Sequence, residues 1–586
     1  MEESREKHGS LDNDMEKAQK TRVDNVDSAS ADFEMEEDAM PPGYFRSRFF
    51  IGSMMGIGLG LMAGVAGFGY AAPILGVINA DIGPDPNIVW VALVYTLVSA
   101  VTLTIIGRVS DIFGRRYMFV GGAALGVIGS IVCAVAPDVP TLIGGMTIIG
   151  VAAATQLSYF YVMGELVPMK YRLAGNAFCY LFCIPGSGIA PLLAQAFIRH
   201  HPNVGWRGLY YLNTGINLAS FLCWFFFYHP PTFRMKHGGN ASKWAYIKNF
   251  DYAGTALYTG GLLIFMMGLN WGGVVYAWDS AHIIGTIVVG FVALLAFVLW
   301  ESLVKLKEPL VPMHYFRHGP WVSSTILTGL GASVYYAFAI VWPSMVAVLY
   351  TDPADSPFYS AWLASCVSLF IVMGQIVGGF IGKKIGHLKW QCVVNIVLGG
   401  ACFGAIASCG PDTPVRATVL VSLGVFFIGW TEGTAITIVT LCAPDQAHLG
   451  SASGIAGSIR FLISSIAASV YNVVLSNRLA REIPAQVPPA VIAAGLPASS
   501  VADFLAGFTT GSFEGVAGLT QDVLAVGTAA YKQANADAYQ TVFFTNIAFS
   551  GVAIICALLM PNVDKHLTDR VTTTLHQGRD EKLAGE

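Results

Sequence analysis

Two charged side chains stand deep inside apolar runs: Glu432, in Gly429-Trp-Thr-Glu432-Gly-Thr, and Arg460, about two turns into the next run. A lone charge in hydrocarbon costs at least ~2.5 kcal/mol on insertion scales, so residues of opposite sign there are expected to pair. Two readings are open, a buried salt bridge that fixes packing or a carboxylate that takes up and releases a proton. A second charged group, Gly107-Arg-Val-Ser-Asp111-Ile-Phe-Gly114-Arg115-Arg116, is a short stretch dense in glycine and charge between two apolar runs. Its flanking helices must turn back sharply, and its charges must stay at the water boundary. Polar and aromatic side chains on otherwise apolar runs make a third set: Gln156, Tyr159, Tyr161, Asn213, Asn217, Tyr335, Tyr336 and Gln375. Each could pack between helices; together, aromatic walls with few polar anchors suit a bulky, mostly uncharged amphipathic ligand. No paired catalytic constellation appears, and no Gly-x4-Gly-Lys-Ser/Thr loop for nucleotide phosphates. The expectation is no enzyme, no cofactor and no metal site.

The elements that must carry these residues are membrane helices. The chain has 586 residues, 54% hydrophobic and 12% charged, with its charges concentrated between runs long enough to cross a bilayer. Fourteen spans are predicted, roughly 49–69, 88–106, 117–136, 141–164, 173–198, 209–228, 252–271, 282–303, 323–349, 359–381, 391–409, 417–441, 452–475 and 541–560. An even count puts both ends of the chain on one side. Lys and Arg favour cytoplasmic loops, and Arg108, Lys170, Arg172, Arg234, Lys248, Lys305, Lys383 and Lys389 all fall on the Gly107 side. The opposite loops carry only Arg199, Arg207, Arg416, Arg478, Arg481 and Lys532, so the Gly107 loop is expected in the cytosol.

Outside the spans, residues 1–48 are polar and acid-rich, predicting a disordered cytosolic tail; 561–586 form a second cytosolic tail. Residues 476–540, interrupted by Asp503, Glu514, Asp522, Lys532 and Asp537, read as a long outer loop with short amphipathic helices. The ten cysteines lie within or at the ends of apolar runs, against a disulfide framework. The sequon Asn240-Ala-Ser242 falls in a cytosolic loop and is expected to be unglycosylated. A net charge of -4 with no basic tract argues against nucleic acid as a partner. Gly52, Gly56, Gly60 and Gly64 form a ladder on one face of the first span, permitting close helix approach. Gly379-Phe-Ile-Gly-Lys383-Lys-Ile-Gly386 repeats the seven-residue glycine interval of Gly107 to Gly114, with Lys383 where the first copy has Asp111. Such an echo points to two related halves.

The spacing Gly-x3-Asp-x2-Gly-Arg-Arg resembles the loop between the second and third helices of the major facilitator superfamily of transporters. The resemblance implies an all-α membrane protein of the major facilitator fold. Its fourteen helices would form an N-terminal six-helix half (49–228), a cytosolic loop with two extra helices (229–303) and a C-terminal six-helix half (304–475 with 541–560). It further implies a conformational latch: Gly107 and Gly114 shape the turn, Asp111 meets the amino end of the thirteenth span, and Arg115 and Arg116 pair with nearby acids such as Glu165. Pro185-Gly186-Ser-Gly188-Ile-Ala190-Pro191 is similar to the antiporter motif of exporters, with Ala190 in place of a glycine; an ordinary proline kink is the other reading. The fourth-helix arginine of many proton-coupled exporters is absent, Met146 standing in its place, and Gly64 stands where fourteen-span drug exporters have a first-helix Asp. Glu432 and Glu165 remain as candidate proton carriers.

Several separate blocks narrow the resemblance. Ile88-Val-Trp-Val-Ala-Leu-Val-Tyr95, Gly164-Glu-Leu-Val-Pro168, Gly205-Trp-Arg-Gly-Leu-Tyr-Tyr-Leu-Asn213, Phe250-Asp-Tyr-Ala-Gly254, Trp271-Gly-Gly273, Pro309-Leu-Val-Pro-Met313 and Val563-Asp-Lys-His-Leu567 look like those of the fungal trichothecene efflux pumps. That implies a monomer in the cell membrane, or in a vacuolar or vesicle membrane, exporting a toxic secondary metabolite by proton antiport. Siderophore–iron uptake carriers share the fourteen-span layout and would work in the opposite direction. A non-transporting sensor would be expected to have a long structured cytosolic domain.

Overall fold

The computed structural model describes residues 43–230, 233, 242–273, 275–352, 355–446 and 448–568. Most of both tails and the sequon residue Asn240 lie outside the described residues. Among the described residues the chain is helical, with two isolated bridges, Phe250 to Glu308 and Gly272 to Tyr276, and no strand. The principal helices are α1 (Arg48–Ala71), α2 (Trp90–Phe113), α3 (Arg116–Ala134), α4 (Val139–Gln156), α5 (Tyr159–Leu166), α6 (Arg172–Cys183), α7 (Ala190–His200), α8 (Arg207–Phe227), α9 (Tyr252–Trp271), α10 (Ala281–Leu303), α11 (Gly319–Met345), α12 (Pro357–Ile385), α13 (Leu388–Ile406), α14 (Pro414–Leu441), α15 (Leu449–Ala493), α16 (Val501–Thr510) and α17 (Gln521–Leu559).

Short polar side chains start these helices. Ser47, Asp138, Ser280, Ser356 and Thr520 each accept a hydrogen bond from a first-turn N–H that has no intrahelical partner. Among the described residues, twelve helical stretches are long and apolar enough to cross a membrane, and the bent pair Met169–Gly188 with Ala190–His200 makes a thirteenth if it is one span. A further helix, α8, occupies the sixth expected position, its apolar character diluted by Asn213, Thr214 and Asn217.

Packing divides the chain into two bundles. In the first, α1, α2, α3, α4, α6 and α8 pack on one another; in the second, α11 to α15 and α17 do so. The bundles meet along two seams, α2 against α15 and α6 against α12, while α9 and α10 pair with each other and α9 leans on α2 and α15. Glycine makes the first seam close. A Cβ at Gly107 would fall 2.4 Å from the Gly450 carbonyl oxygen, and one at Gly454 2.6 Å from that of Leu103.

Two expectations are corrected. The stretch from Gly107 to Phe113 is the last two turns of α2 rather than a loop; the reversal is made by Gly114, whose φ of 92° suits glycine. Gly386 closes α12 in the same way, with φ of 72°. The segment 476–540, expected as a loop, is largely helical. The thirteenth span runs on without a break as α15 to Ala493, α16 crosses, and α17 begins at Gln521. Ile483, Val487 and Val491 recur every four residues, an apolar stripe that buries Phe504 and Val523 in a separate small core. Asp503, Glu514 and Asp522 stay exposed, and Lys532 reaches Asp352 at 2.9 Å. The charges that suggested a loop therefore mark the solvent face of a helical cap.

Gly107→Val puts a branched side chain into the α2–α15 seam. Overpacking of this kind costs about 1–3 kcal/mol, and a lowered thermal midpoint of the full-length protein in detergent is the expected result. An unchanged midpoint would show that the seam is slack.

Candidate functional site

At the Gly114 end of the molecule, Asp111 is 1% exposed and lies across the seam from the first turn of α15. Its carboxylate accepts from the Gly450 N–H (3.2 Å), the Ser451 N–H (2.6 Å) and the Ser451 hydroxyl (2.8 Å). Those N–H groups carry the positive end of the helix dipole, so an anion is favoured there. Arg115, four residues on, donates to the same carboxylate at 2.9 Å, pairs with Glu165 and stacks 4.6 Å from the Tyr161 ring. Asp111, Arg115 and Glu165 thus form one buried network. Arg116 does not join it. The reversal at Gly114 turns Arg116 outward, and it donates to the Phe225 carbonyl at 2.9 Å.

Two further contacts at this end were invisible in the sequence, where their arginines read as ordinary boundary charges. Arg108 pairs with Glu308 at 2.6 Å, tying α2 to the segment after α10. Arg172, 1% exposed, donates to the Thr440 carbonyl near the carboxyl end of α14, beside an Asn176–Thr437 hydrogen bond. One seam therefore closes with an acid on a helix start, the other with a base on a helix end. Lys383, the counterpart of Asp111 in the echoed motif, lies 5.1 Å from the Tyr171 ring.

Between the bundles lies a cavity of about 800 Å³. Glu432 stands on its wall, 1% exposed and about 14 Å up α14 from Leu441. Arg460 donates to one carboxylate oxygen through Nε at 3.0 Å and Nη2 at 2.6 Å, and Gln375 donates to the other at 3.1 Å. The pair leaves the wall formally neutral. Aromatic rings make up much of the remainder: Tyr159 and Tyr180 share a hydrogen bond of 2.5 Å, and Tyr336 lies 5.8 Å from the Arg460 guanidinium. Away from the Gly114 end, Tyr335 hydrogen-bonds Ser187 across the bundles at 2.8 Å, and Phe68 packs on Tyr335 and Tyr336. Contacts between the bundles thus lie on both sides of the cavity.

Tyr159, Tyr335, Tyr336 and Gln375 line this cavity; Gln156, Asn213 and Asn217 do not. Gln156 donates to Asn217 at 2.7 Å, Asn217 to the Asn213 carbonyl at 2.9 Å, and Asn213 to Ser130 at 3.1 Å, a chain that links α4, α8 and α3. A polar side chain on an apolar helix must find either a cavity or a partner, and these three find each other. Gly126 leaves room for them: a Cβ there would fall 2.1 Å from Asn217 Oδ1. Met146 is buried against the Tyr210 hydroxyl.

The bend falls at Ile189, between Gly186 and the Ala190-Pro191 pair. Ile184–Gly188 is a π-helical turn, and the helices on either side bend by 44°. A Cβ at Gly186 would meet the Met62 carbonyl oxygen at 2.8 Å, so glycine lets α1 approach the break. Pro191 sits in the first turn of α7, where its missing N–H has no intrahelical role. All ten cysteines are free, and among the described residues no group of three His, Cys, Asp or Glu is arranged to hold a metal.

Two helical bundles around a central cavity, fastened at one end by an aspartate on a helix start, define a multi-pass membrane transporter of the major facilitator class. Solved structures agree on the fold: the human organic anion transporter MFSD10 superposes with a TM-score of 0.51, 11% identity and 87% of this chain covered against 100% of its own. The proton:xylose symporter XylE gives 0.50, 14%, 91% and 98%. The chain belongs to the fungal trichothecene efflux pump family, whose model matches residues 13–585. Similar relatives are the trichothecene efflux pumps TRI12 of Trichoderma arundinaceum, 27% identical with 93% of this chain and 92% of that protein covered, and of Fusarium sporotrichioides, 27% with 93% and 91%. The transporter prx5 of Penicillium rubens is 28% identical over 84% and 88%.

Asp111→Ala would leave two helix-start N–H groups without their acceptor in a buried seam and take away one of the two carboxylates that Arg115 pairs with. Removing one partner of such a pair costs about 3–5 kcal/mol; a clear fall in thermal midpoint is expected, with Arg116→Ala close to wild type.

Proposed function

We propose that this transporter exports a bulky, mostly uncharged amphipathic secondary metabolite in exchange for protons, by alternating access through fourteen spans, with the Gly114 end in the cytosol. The carrying observation is Glu432, buried on the wall of the central cavity and held by Arg460 and Gln375. A proton on Glu432 leaves the Arg460 charge without its counter-ion. That state is tolerable where water enters the cavity and costly where the cavity is closed and dry. A neutral cargo that fills the cavity and displaces water favours the ionised, paired state. Proton and cargo then favour opposite protonation states of Glu432 and exclude one another, which is what exchange requires.

The latch supplies the gate. Asp111, Arg115 and Glu165 hold the cytosolic side shut, and the two extra helices stand beside the seam that has to part. The bend at Ile189 lets the fifth span flex against the first. The efflux names of the family and its relatives support export, and a fungal secondary metabolite as cargo.

The test uses the full-length protein in proteoliposomes, with metabolites that a deletion strain retains. Glu432→Gln should abolish uphill transport driven by a pH gradient while leaving exchange of labelled for unlabelled cargo in place. Gradient-driven transport at the wild-type rate would overturn the assignment of Glu432. Asp111→Asn should slow transport at least about tenfold, one decade per ~1.4 kcal/mol lost from the gate, with membrane expression unchanged; a wild-type rate would remove the latch from the cycle.

A further inference from the structure

A second cavity, of about 500 Å³, lies away from the central one, between α9, α10 and the outer face of α15. Its floor is buried: Tyr258 is 8% exposed, Phe297 4% and Ile455 4%. Its mouth is not. Val298 on α10 and Phe316 after it also line the cavity, and each is 44% exposed on a surface that α10 shares with Val288, Val292, Leu295 and Leu299. For a chain that spans a membrane, that apolar surface faces lipid, so the cavity opens sideways toward the bilayer.

The hydroxyls in the wall are already engaged. Thr104 donates to Ser458, and Ser458 donates to the Ala100 carbonyl. With the Thr104 proton committed, the Tyr258 hydroxyl donates to Thr104 at 2.8 Å. No donor is left over to recognise a polar group; what remains is aliphatic and aromatic carbon. We propose that this cavity is a binding site for one acyl chain of a bilayer lipid. The site touches the helix that the latch depends on. Ile455, Ser458, Ile459 and Leu462 present one face of α15 to this cavity, while Ala456, Gly457 and Arg460 present another to the central cavity, and Gly450 and Ser451 hold Asp111 one turn below. An acyl chain here packs against the back of the helix that has to move when the α2–α15 seam parts.

Photolabelling of the full-length protein tests this. The protein is reconstituted in phosphatidylcholine carrying a diazirine near the end of one acyl chain, irradiated, and its adducts mapped by mass spectrometry. Adducts within 455–462 are expected in the wild type. They should be lost in Leu294→Trp, whose indole projects into the cavity and takes the space of the chain end, while adducts on the bilayer-facing residues Val292 and Leu299 persist in both and report an inserted, folded protein. Val298→Trp, which blocks the mouth instead, should give the same loss. Absence of 455–462 adducts in the wild type, or their persistence in both variants, would overturn the site. Labelling of 455–462 by a photoreactive sterol but not by the phosphatidylcholine would overturn the acyl-chain assignment.

Discussion

One carboxylate ties the two halves of this molecule together at their closest approach. Asp111 occupies the space in front of the first turn of α15, where unpaired N–H groups need an acceptor and the helix dipole needs an anion. It belongs to α2 and therefore to the first bundle, while the helix it caps belongs to the second. The glycines at 107, 450 and 454 exist in this arrangement to bring the two backbones near enough for that contact. Arg115 answers the charge of Asp111 and pairs with Glu165 on its other side, so that a buried acid is part of a hydrogen-bonded network. Parting the seam loses the three hydrogen bonds to Gly450 and Ser451 together, while the ion pairs of Asp111 and Glu165 with Arg115 stay within the first bundle.

Hydrocarbon imposes the other constraint. With no water at that depth, every polar side chain on these helices must have a partner or face a cavity. Gln156, Asn213 and Asn217 take the first course and stitch the N-terminal bundle together; Glu432, Arg460 and Gln375 combine both, paired with one another on the cavity wall. The same chemical types at the same apparent depth therefore have different duties, decided by which helix face they occupy. The hydroxyl chain from Tyr258 through Thr104 to Ser458 is a third case, using up its donors inside the protein and leaving a carbon-lined recess beside it.

Much of the architecture was legible in the sequence, because length and apolarity are what a bilayer selects. The residue types of the Asp111 network could be read as well, since glycine, acid and arginine at that spacing are not demanded by topology. Arg116 could not be separated from Arg115 there, because adjacent arginines look alike until the reversal at Gly114 turns one inward and the other out. Arg172 was hidden for a related reason. A base at a membrane boundary satisfies the positive-inside rule whether it is solvated or, as here, sealed against the end of α14. The helical cap over 476–540 differs from the expected loop because scattered charges suggest a loop, whereas the four-residue interval of Ile483, Val487 and Val491 continues the helix.

The sequence by itself determined that this protein lives in a membrane, as a bundle of apolar helices with one acid and one arginine too deep to stand alone. Those are local properties, set by hydropathy and by the cost of an unpaired charge. Only the tertiary structure decided which polar groups meet which. Glu432 and Arg460 are brought together by the packing of α14 near α15, Asp111 and Ser451 by the seam between bundles, and Gln156 is withdrawn from the cavity by Asn217. Contacts between residues hundreds of positions apart depend on helix rotation and close approach, which no local pattern encodes.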